Sequence, residues 1–379
     1  MHRRDTSRRG TFSRALLRWY DADHRDLPWR RTKDPYAVWV SEVMLQQTQA
    51  ARVAECWPRF LARFPSVRAL AEAAEDDVLA AWSGLGYYRR ARALLEGARA
   101  VVSEREGVLP ATADELRGLP GVGEYTAAAV ASIAFGEVVP VLDANAARVF
   151  GRVAARRADA STAAGRGRLL AEGAQLIDPA RPGDWNQAVM ELGATVCLPA
   201  PRCDECPVRR HCLGRRSGRP AAYPGSGRRV TSVGVTEASA LVIRRGRVLL
   251  VRGEHPRGWW KGLWALPRSH GPAAADPAVL TAEVRRLTGV SCRFAGPPVA
   301  ARYSVTRHRV TMLVFRATRV TGRIASGGSA AWFDAARLVE AGAPALPAPD
   351  RRAIAAAAGP RAASGGPARA ATVRGRTRR

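Results

Sequence analysis

With 379 residues the chain is long enough for two domains that each bury a core of their own. It is 47% hydrophobic yet holds no uninterrupted apolar run able to cross a bilayer, so a helical membrane protein is excluded and a soluble one expected. A net charge of +27 and a pI near 11.4 favour a polyanionic partner, of which nucleic acid is the usual one. Lys33 and Lys261 are the only lysines, so an arginine-rich composition accounts for part of that charge.

The start, "MHRRDTSRRG", is a basic arm over residues 1–10 that lacks the apolar centre of a secretory signal. An Arg-rich transit peptide is the competing reading, and a helix carrying Trp19 and Tyr20 leaves it little room. From Thr11 the pattern is helical, and a first domain is set at 11–213. "YAVWVSEVMLQQTQAARVAECW", "ALAEAAEDDVLAAW", "RARALLEGARAVV" and "YTAAAVASIAF" repeat apolar residues at three- and four-residue spacing, with short Gly/Pro breaks between them. Glu42 lies in the first of these. Its helical neighbours Val38, Trp39, Leu45 and Gln46 make a mostly apolar face, which desolvates a carboxylate and raises its pKa.

In "ELRGLPGVGEYTAAAV" a short helix around 112–117 meets a longer one through Gly121-Val122-Gly123. The glycines permit a tight turn and a close backbone approach, and the free amides of the second helix suit a phosphate. "LDANAARVF" then places Asp143 as an N-cap, where a helix terminus favours the anion. One carboxylate kept protonated and one kept ionised is an arrangement for cleaving a glycosidic bond.

Cys197, Cys203, Cys206 and Cys212 follow with spacing C-x5-C-x2-C-x5-C. Without an export signal such a cluster reads as a metal site, and the spacing admits either zinc or a [4Fe–4S] cluster. Residues 214–232, rich in Gly, Arg and Pro, read as a linker. Beyond it the period changes to two: "ASALVIRRGRVLLVRG" predicts two strands and a tight turn, and "RVTMLVFRATRV" another strand. A second, α+β domain is set at 233–350, and residues 351–379 read as a basic, disordered tail.

The order of Glu42 in "SEVMLQQTQ", then "GLGYYRRAR", "LPGVGEYTA", "LDANAARV", "NQAVMELGATVC" and the four cysteines resembles the adenine DNA glycosylase family of the helix-hairpin-helix superfamily. The resemblance covers residues from about 12 to 225 and, more loosely, the C-terminal domain. It implies a multidomain fold: an all-α helix-hairpin-helix domain with an iron–sulfur loop, and a smaller α+β Nudix-like domain. It implies a monofunctional enzyme of base-excision repair, a cytoplasmic monomer at the bacterial nucleoid. Its substrate would be double-stranded DNA in which adenine faces 8-oxoguanine or guanine.

By the same resemblance Glu42 protonates the flipped adenine, Asp143 stabilises the oxocarbenium ion and Asn145 orients the site. Trp29, Arg30, Leu45, Gln46 and Gln187 form the pocket and base contacts, while Gln47 and Tyr87 wedge into the stack. Tyr125 stands where related endonuclease III-like lyases carry the lysine that forms a Schiff base, which implies base removal without strand cleavage. Such a lyase is the runner-up reading, ahead of a non-catalytic iron–sulfur DNA-binding protein. The resemblance also favours [4Fe–4S] over zinc, although the family usually has six residues between the first two cysteines and this chain has five.

"GWWKGLWALPR" is similar to Nudix sequences, but Arg286 and Leu287 in "AEVRRLTGV" replace the glutamates that would join Glu283 on Mg²⁺, which argues against a nucleotide hydrolase. In "YSVTRHRV" the family's Phe-Ser-His signature becomes Val305, Thr306 and Arg307, leaving the Thr306 hydroxyl to meet the lesion.

Overall fold

The computed structural model describes residues 2–225, 231–252, 255–325, 329–340 and 343–358, and the chain divides into two compact units, Met1–Thr231 and Ser232–Arg379. Among the described residues the first unit contains only helices: α1 (His2–Asp23), α2 (Pro35–Leu45), α3 (Ala50–Arg63), α4 (Val67–Glu72), α5 (Glu75–Ala81), α6 (Arg89–Arg105), α7 (Ala113–Leu116), α8 (Glu124–Ala134), α9 (Ala144–Val153), α10 (Ala163–Leu176), α11 (Pro182–Thr195) and α12 (Leu213–Arg216). One lobe packs α2 to α7, burying Trp39, Phe60, Leu70, Trp82 and Leu94. The other packs α1 with α9–α11 around Phe12, Leu16, Phe150 and Trp185. Helix α8 touches both lobes, through α2 and through α11, so its side chains reach the seam between them.

Helix α2 starts where Asp34 accepts from the Ala37 amide (2.7 Å) and Pro35 supplies a preset φ. It stops at Leu45, although the apolar period runs on to Trp57. The break is a turn with Gln47 in the left-handed region (φ 57°), and α3 begins at Ala50. Arg90 takes the carbonyls of Val43, Met44 and Gln46, which ends the helix by satisfying its last acceptors from a side chain.

Two boundaries drawn from composition move in the first unit. Residues 214–225, read as linker, pack on the first unit. Arg152, 3% exposed, donates to the Pro220 and Tyr223 carbonyls, and a Cβ on Gly214 would lie 2.7 Å from the Arg152 carbonyl oxygen. The backbone of residues 2–10, read as an arm, continues α1. Met1 and residues 226–230 lie outside the described residues.

The second unit is mixed. Strand β1 (Val233–Leu241) runs parallel to β8 (His308–Thr321), and β7 (Val299–Val305) folds back antiparallel on β8. A second sheet holds β2 (Ile243–Arg244), β3 (Arg247–Arg252), β4 (Trp264–Ala265) and β9 (Ala330–Asp334); β5 (Arg268–Ser269) and β6 (Ser291–Phe294) border the first. The β2–β3 hairpin turns at Arg245-Gly246, both at positive φ, as a twisted two-residue turn demands. Helix α13 (Pro277–Thr288) lays Leu280 and Val284 into one core cluster, and α14 (Ala348–Ala358) lays Ile354 into another. So residues 351–358, read as tail, are a helix held by Ile354 and by the buried Asp350–Arg268 pair; residues 359–379 lie outside the described residues. On β1 the fully buried Glu237 accepts from Arg268 (2.6 Å) and from the Tyr303 hydroxyl.

Candidate active site

Glu42 sits on α2 facing α8, 3% exposed. The Tyr125 hydroxyl donates to its Oε2 at 2.6 Å and lies 3.2 Å from the Met190 sulfur of α11. Burial pushes the Glu42 carboxyl up to about 7. The Tyr125 hydrogen bond opposes that rise, the Asp143 charge adds to it, and the Arg30 charge opposes it.

Asp143 caps α9. Its Oδ1 accepts from the Ala146 amide (2.6 Å) and its Oδ2 from Asn145 Nδ2 (2.9 Å). The cap forms as the spacing predicts, but its electrostatic consequence differs. Burial raises the Asp143 pKa above its ordinary value, against the Ala146 and Asn145 hydrogen bonds and the Arg148 charge. The helix terminus therefore limits the rise and does not reverse it.

Asn145 in turn accepts from Arg148 Nη2 (2.8 Å), whose guanidinium also donates to the carbonyls of Gly193 (2.6 Å) and Cys197 (2.6 Å). Gly193 makes the close approach possible, since a Cβ there would lie 2.6 Å from Asn145 Cβ. Thus the loop bearing the first cysteine is tied to the cap residue's partner.

None of the four cysteines is in a disulfide, and Cys197 and Cys212 lie against Arg152 of α9; burial pushes Cys206 up to about 12. Donors already point at the sulfurs: Arg152 Nη1 at Cys197 Sγ (3.3 Å) and the Arg215 amide at Cys212 Sγ (3.4 Å), as suits thiolate ligands. Among the described residues no three of these sulfurs lie within 4.8 Å of one another. Four cysteines with no other ligand type are a donor set that an iron–sulfur cluster and a structural zinc share.

A cavity of about 410 Å³ opens beside the carboxylate pair and not on it, lined by Gln46, Gln47, Tyr87, Arg90 and Gly121 among others. Gln46 Nε2 donates to Thr126 Oγ1 (3.0 Å), next to Tyr125. Gly121 needs its glycine, with φ 74° and a would-be Cβ 2.5 Å from Ala93; Val122 is buried. Gly123 caps α8 at φ −89°, and a Cβ there would meet nothing, so its face is open for an approaching backbone. Trp29 and Gln187 are buried, and Leu45 is half-buried. Arg30 is committed to an ion pair with buried Glu191 (2.7 Å), which Arg25 also grips, and it reaches Glu42 through its charge alone. Thr306 lies on the second unit, at the tip of the β7–β8 hairpin. It has φ 50°, unusual for a β-branched residue, and an exposed hydroxyl 3.5 Å from His308 Nδ1.

The sequence pattern gave no notice of Met190, Glu191, Arg90 or Arg152, which act across long separations. Arg148 was within reach of it, one helical turn after Asn145. Glu237, His255 and His270 also converge within 4.8 Å. However, the Arg257 amide donates to His255 Nδ1 (3.1 Å), which leaves Nε2 to face Glu237 Oε2 (3.2 Å) as part of a closed hydrogen-bond network.

Residues 40–170 match the HhH-GPD superfamily of base excision DNA repair proteins. The chain is 51% identical to human adenine DNA glycosylase over 223 residues, covering 56% of this chain and 41% of that one, so it spans less than half of that relative's length. It is 44% identical to the Mycobacterium tuberculosis adenine DNA glycosylase over 227 residues, covering 57% of this chain and 74% of that one. A thermostable thymine-DNA glycosylase of known structure is similar at 27% identity and a TM-score of 0.51, over 56% of this chain and 98% of that one. With three quarters of the mycobacterial relative matched at that identity, this chain belongs to the adenine DNA glycosylase family.

Proposed function

We propose that the chain is a monofunctional glycosylase that removes adenine opposite 8-oxoguanine or guanine from duplex DNA. The observation that carries this reading is the Glu42–Tyr125 pair: a buried carboxyl pushed up to about 7 and held at 2.6 Å by a phenol, with Asp143 close enough to act on its charge. A group of that pKa is a proton donor near neutrality. An extruded adenine receives the Glu42 proton on N7; the N-glycosidic bond breaks, and its electron pair leaves with the neutral base. The sugar is left as an oxocarbenium ion, which the Asp143 carboxylate stabilises in the orientation set by Ala146 N and Asn145. Water then adds to the anomeric carbon, and its released proton returns to the carboxylate pair.

Tyr125 offers a phenol where strand scission needs an amine, so the product is an intact strand with an abasic site. Cys197, Cys203, Cys206 and Cys212 would hold a [4Fe–4S] cluster whose contribution is to fix the loop they span. The open face at Gly123 suits a phosphate, and Thr306 reads the base opposite adenine. Affinity falls steeply with salt as phosphate contacts release counterions.

The test is single-turnover base release from duplexes with adenine opposite 8-oxoguanine and opposite guanine, with and without alkali. Release that gives strand breaks only after alkali is the expected result, faster on the lesion pair. Breaks without alkali, together with covalent trapping by borohydride, would replace this reading with the lyase one. Equal rates on both duplexes would remove the role given to Thr306.

A further inference from the structure

Two residues of the cavity wall, Gln47 and Tyr87, share an uncommon backbone conformation. Both are non-glycine residues in the left-handed region, at φ 57° and 47°. Gln47 sits in the turn between α2 and α3. Tyr87 sits before α6, after Gly84 and Gly86, which are also left-handed. Residues held in this region persist only where the surroundings over-determine them, and they gather at functional sites. Here one side chain does the determining for both turns.

Arg90 is 7% exposed, and its guanidinium lies between the two. Nη1 donates to the carbonyls of Val43 (2.8 Å), Met44 (2.9 Å) and Gln46, closing the end of α2 immediately before Gln47. Nη2 donates to the carbonyls of Leu85 (3.0 Å) and Gly86 (3.1 Å), immediately before Tyr87, and to Thr48 Oγ1 (3.0 Å), immediately after Gln47. The same group lies over the Tyr87 ring, 5.6 Å from its centroid, and over Trp82 at 5.5 Å. Among the described residues no carboxylate is bonded to it; its partners are carbonyls, one hydroxyl and two ring faces. It is therefore not an ion pair that happens to be buried. A planar fork in which Nη1 closes the first turn while Nη2 bonds the second and reaches back to Thr48 is a geometry that only arginine offers, since a lysine ammonium is a single point.

We propose that Arg90 is a positioning residue for base extrusion: by holding both turns with one guanidinium it presents Gln47 and Tyr87 at the cavity as a single rigid pair. The proposal rests on the glycosylase reading and deepens it. Arg90 does not touch the carboxylates, so it acts before bond cleavage, on the step that takes adenine out of the stack. Extrusion costs least where pairing and stacking are already lost, and that separates this step from the chemistry.

The experiment uses the full-length protein and the variants Arg90→Lys and Thr48→Val. Adenine release is measured in single turnover from two duplexes: adenine opposite guanine, fully paired around the site, and adenine opposite an abasic gap. Tenfold or greater loss for Arg90→Lys on the first duplex, with less than threefold loss on the second, is the expected result. Thr48→Val removes one tie of the clamp from a half-buried side chain, and it should give the same asymmetry at about two- to fivefold. A fluorescent 2-aminopurine at the target position should lose its extrusion signal in parallel. Equal losses on both duplexes, or unchanged fluorescence in a variant slowed on the first, would make Arg90 a stabilising residue only and overturn the proposal. Should Arg90→Lys not fold, Thr48→Val decides by the same criterion. If the wild-type protein releases adenine from neither duplex, the glycosylase reading falls and the proposal falls with it.

Discussion

The molecule buries a glutamate under a tyrosine twice. In the helical unit Glu42, 3% exposed, accepts from Tyr125; in the mixed unit Glu237, fully buried, accepts from Tyr303. Burial pushes both carboxyls up, yet Glu42 arrives at about 7 and Glu237 at about 2. The difference is the company. Glu237 also accepts from Arg268 at 2.6 Å and faces His255 at 3.2 Å, and Arg268 is balanced on its other side by Asp350. Glu42 has a neutral phenol, a thioether beyond it, and the like charge of Asp143; the nearby cation, Arg30, is bound to Glu191. Low dielectric alone does not set the protonation state, because the direct partners decide its sign. One glutamate is held as an anion, the other keeps its proton toward neutrality.

The comparison breaks most sharply at Glu42 itself. Replacing it by glutamine keeps the shape and the contact with Tyr125 but removes the proton donor. Base release is expected to fall by about a thousandfold, within the range for a lost general acid, while duplex binding in a filter or anisotropy assay is retained. Retained turnover would remove Glu42 from the mechanism. At Glu237 the corresponding break is thermodynamic. Arg268→Met leaves two carboxylates, Glu237 and Asp350, facing each other in a buried site without their cation. The expected cost is about 3–5 kcal/mol, seen as a lower urea midpoint of the full chain at neutral pH. A midpoint unchanged within error would show that the network carries no net stability.

The pH dependence of stability should have opposite signs in the two places. Glu42 is held above its ordinary value of 4.5, so between 4.5 and about 7 the folded chain keeps a proton that the unfolded chain has lost, and stability falls as pH rises across that window. Glu237 is held below 4.5, so its contribution is complete above 4.5 and is lost as pH falls toward about 2. Glu42→Gln should therefore stabilise the protein at pH 8 by about 1–3 kcal/mol and leave it nearly unchanged at pH 4.5. Equal effects of this substitution at both pH values would contradict the raised pKa.

Much of the helical unit was readable in the sequence because its determinants are local. Asp143 caps α9 two residues before Asn145, Gly121 fills a turn that demands positive φ, and Glu42 lies among apolar neighbours on one helix face. What escaped was long-range. The apolar period gave no sign that α2 ends at Leu45, because the cause is Arg90, more than forty residues away in the sequence. Composition marked 214–225 as linker, because the grip of Arg152 on Pro220 and Tyr223 has no local signature. Arg30 stood out beside the pocket, but its pairing with Glu191, 161 residues on, had no local sign. In each case an arginine crosses the fold to collect acceptors. In a chain this rich in arginine, residue type alone does not separate those few from the many exposed ones.

The finest distinction between the two glutamates lies in what their tyrosines do. Tyr303 is one of several groups holding Glu237 down, so its loss should be absorbed by Arg268 and His255. Tyr125 is the direct hydrogen-bond donor to Glu42, and its bond favours the anion, the form the apolar surroundings resist. Removing it with Tyr125→Phe should raise the Glu42 pKa further. If that bond is worth about 1 kcal/mol, the shift is about 0.7 of a pH unit. The alkaline limb of the rate profile, where the acid form of Glu42 is lost, should then move upward by that amount, while Tyr303→Phe leaves it in place. The variant's rate near pH 6 should change only a few-fold, because a more tightly held proton offsets the larger protonated fraction. A limb that moves downward would mean that the phenol stabilises the protonated carboxyl, by accepting from it and not donating to it. Tyr125 would then be a hydrogen-bond acceptor in the resting site, and the Glu42 proton would have to leave that bond before it reached the base.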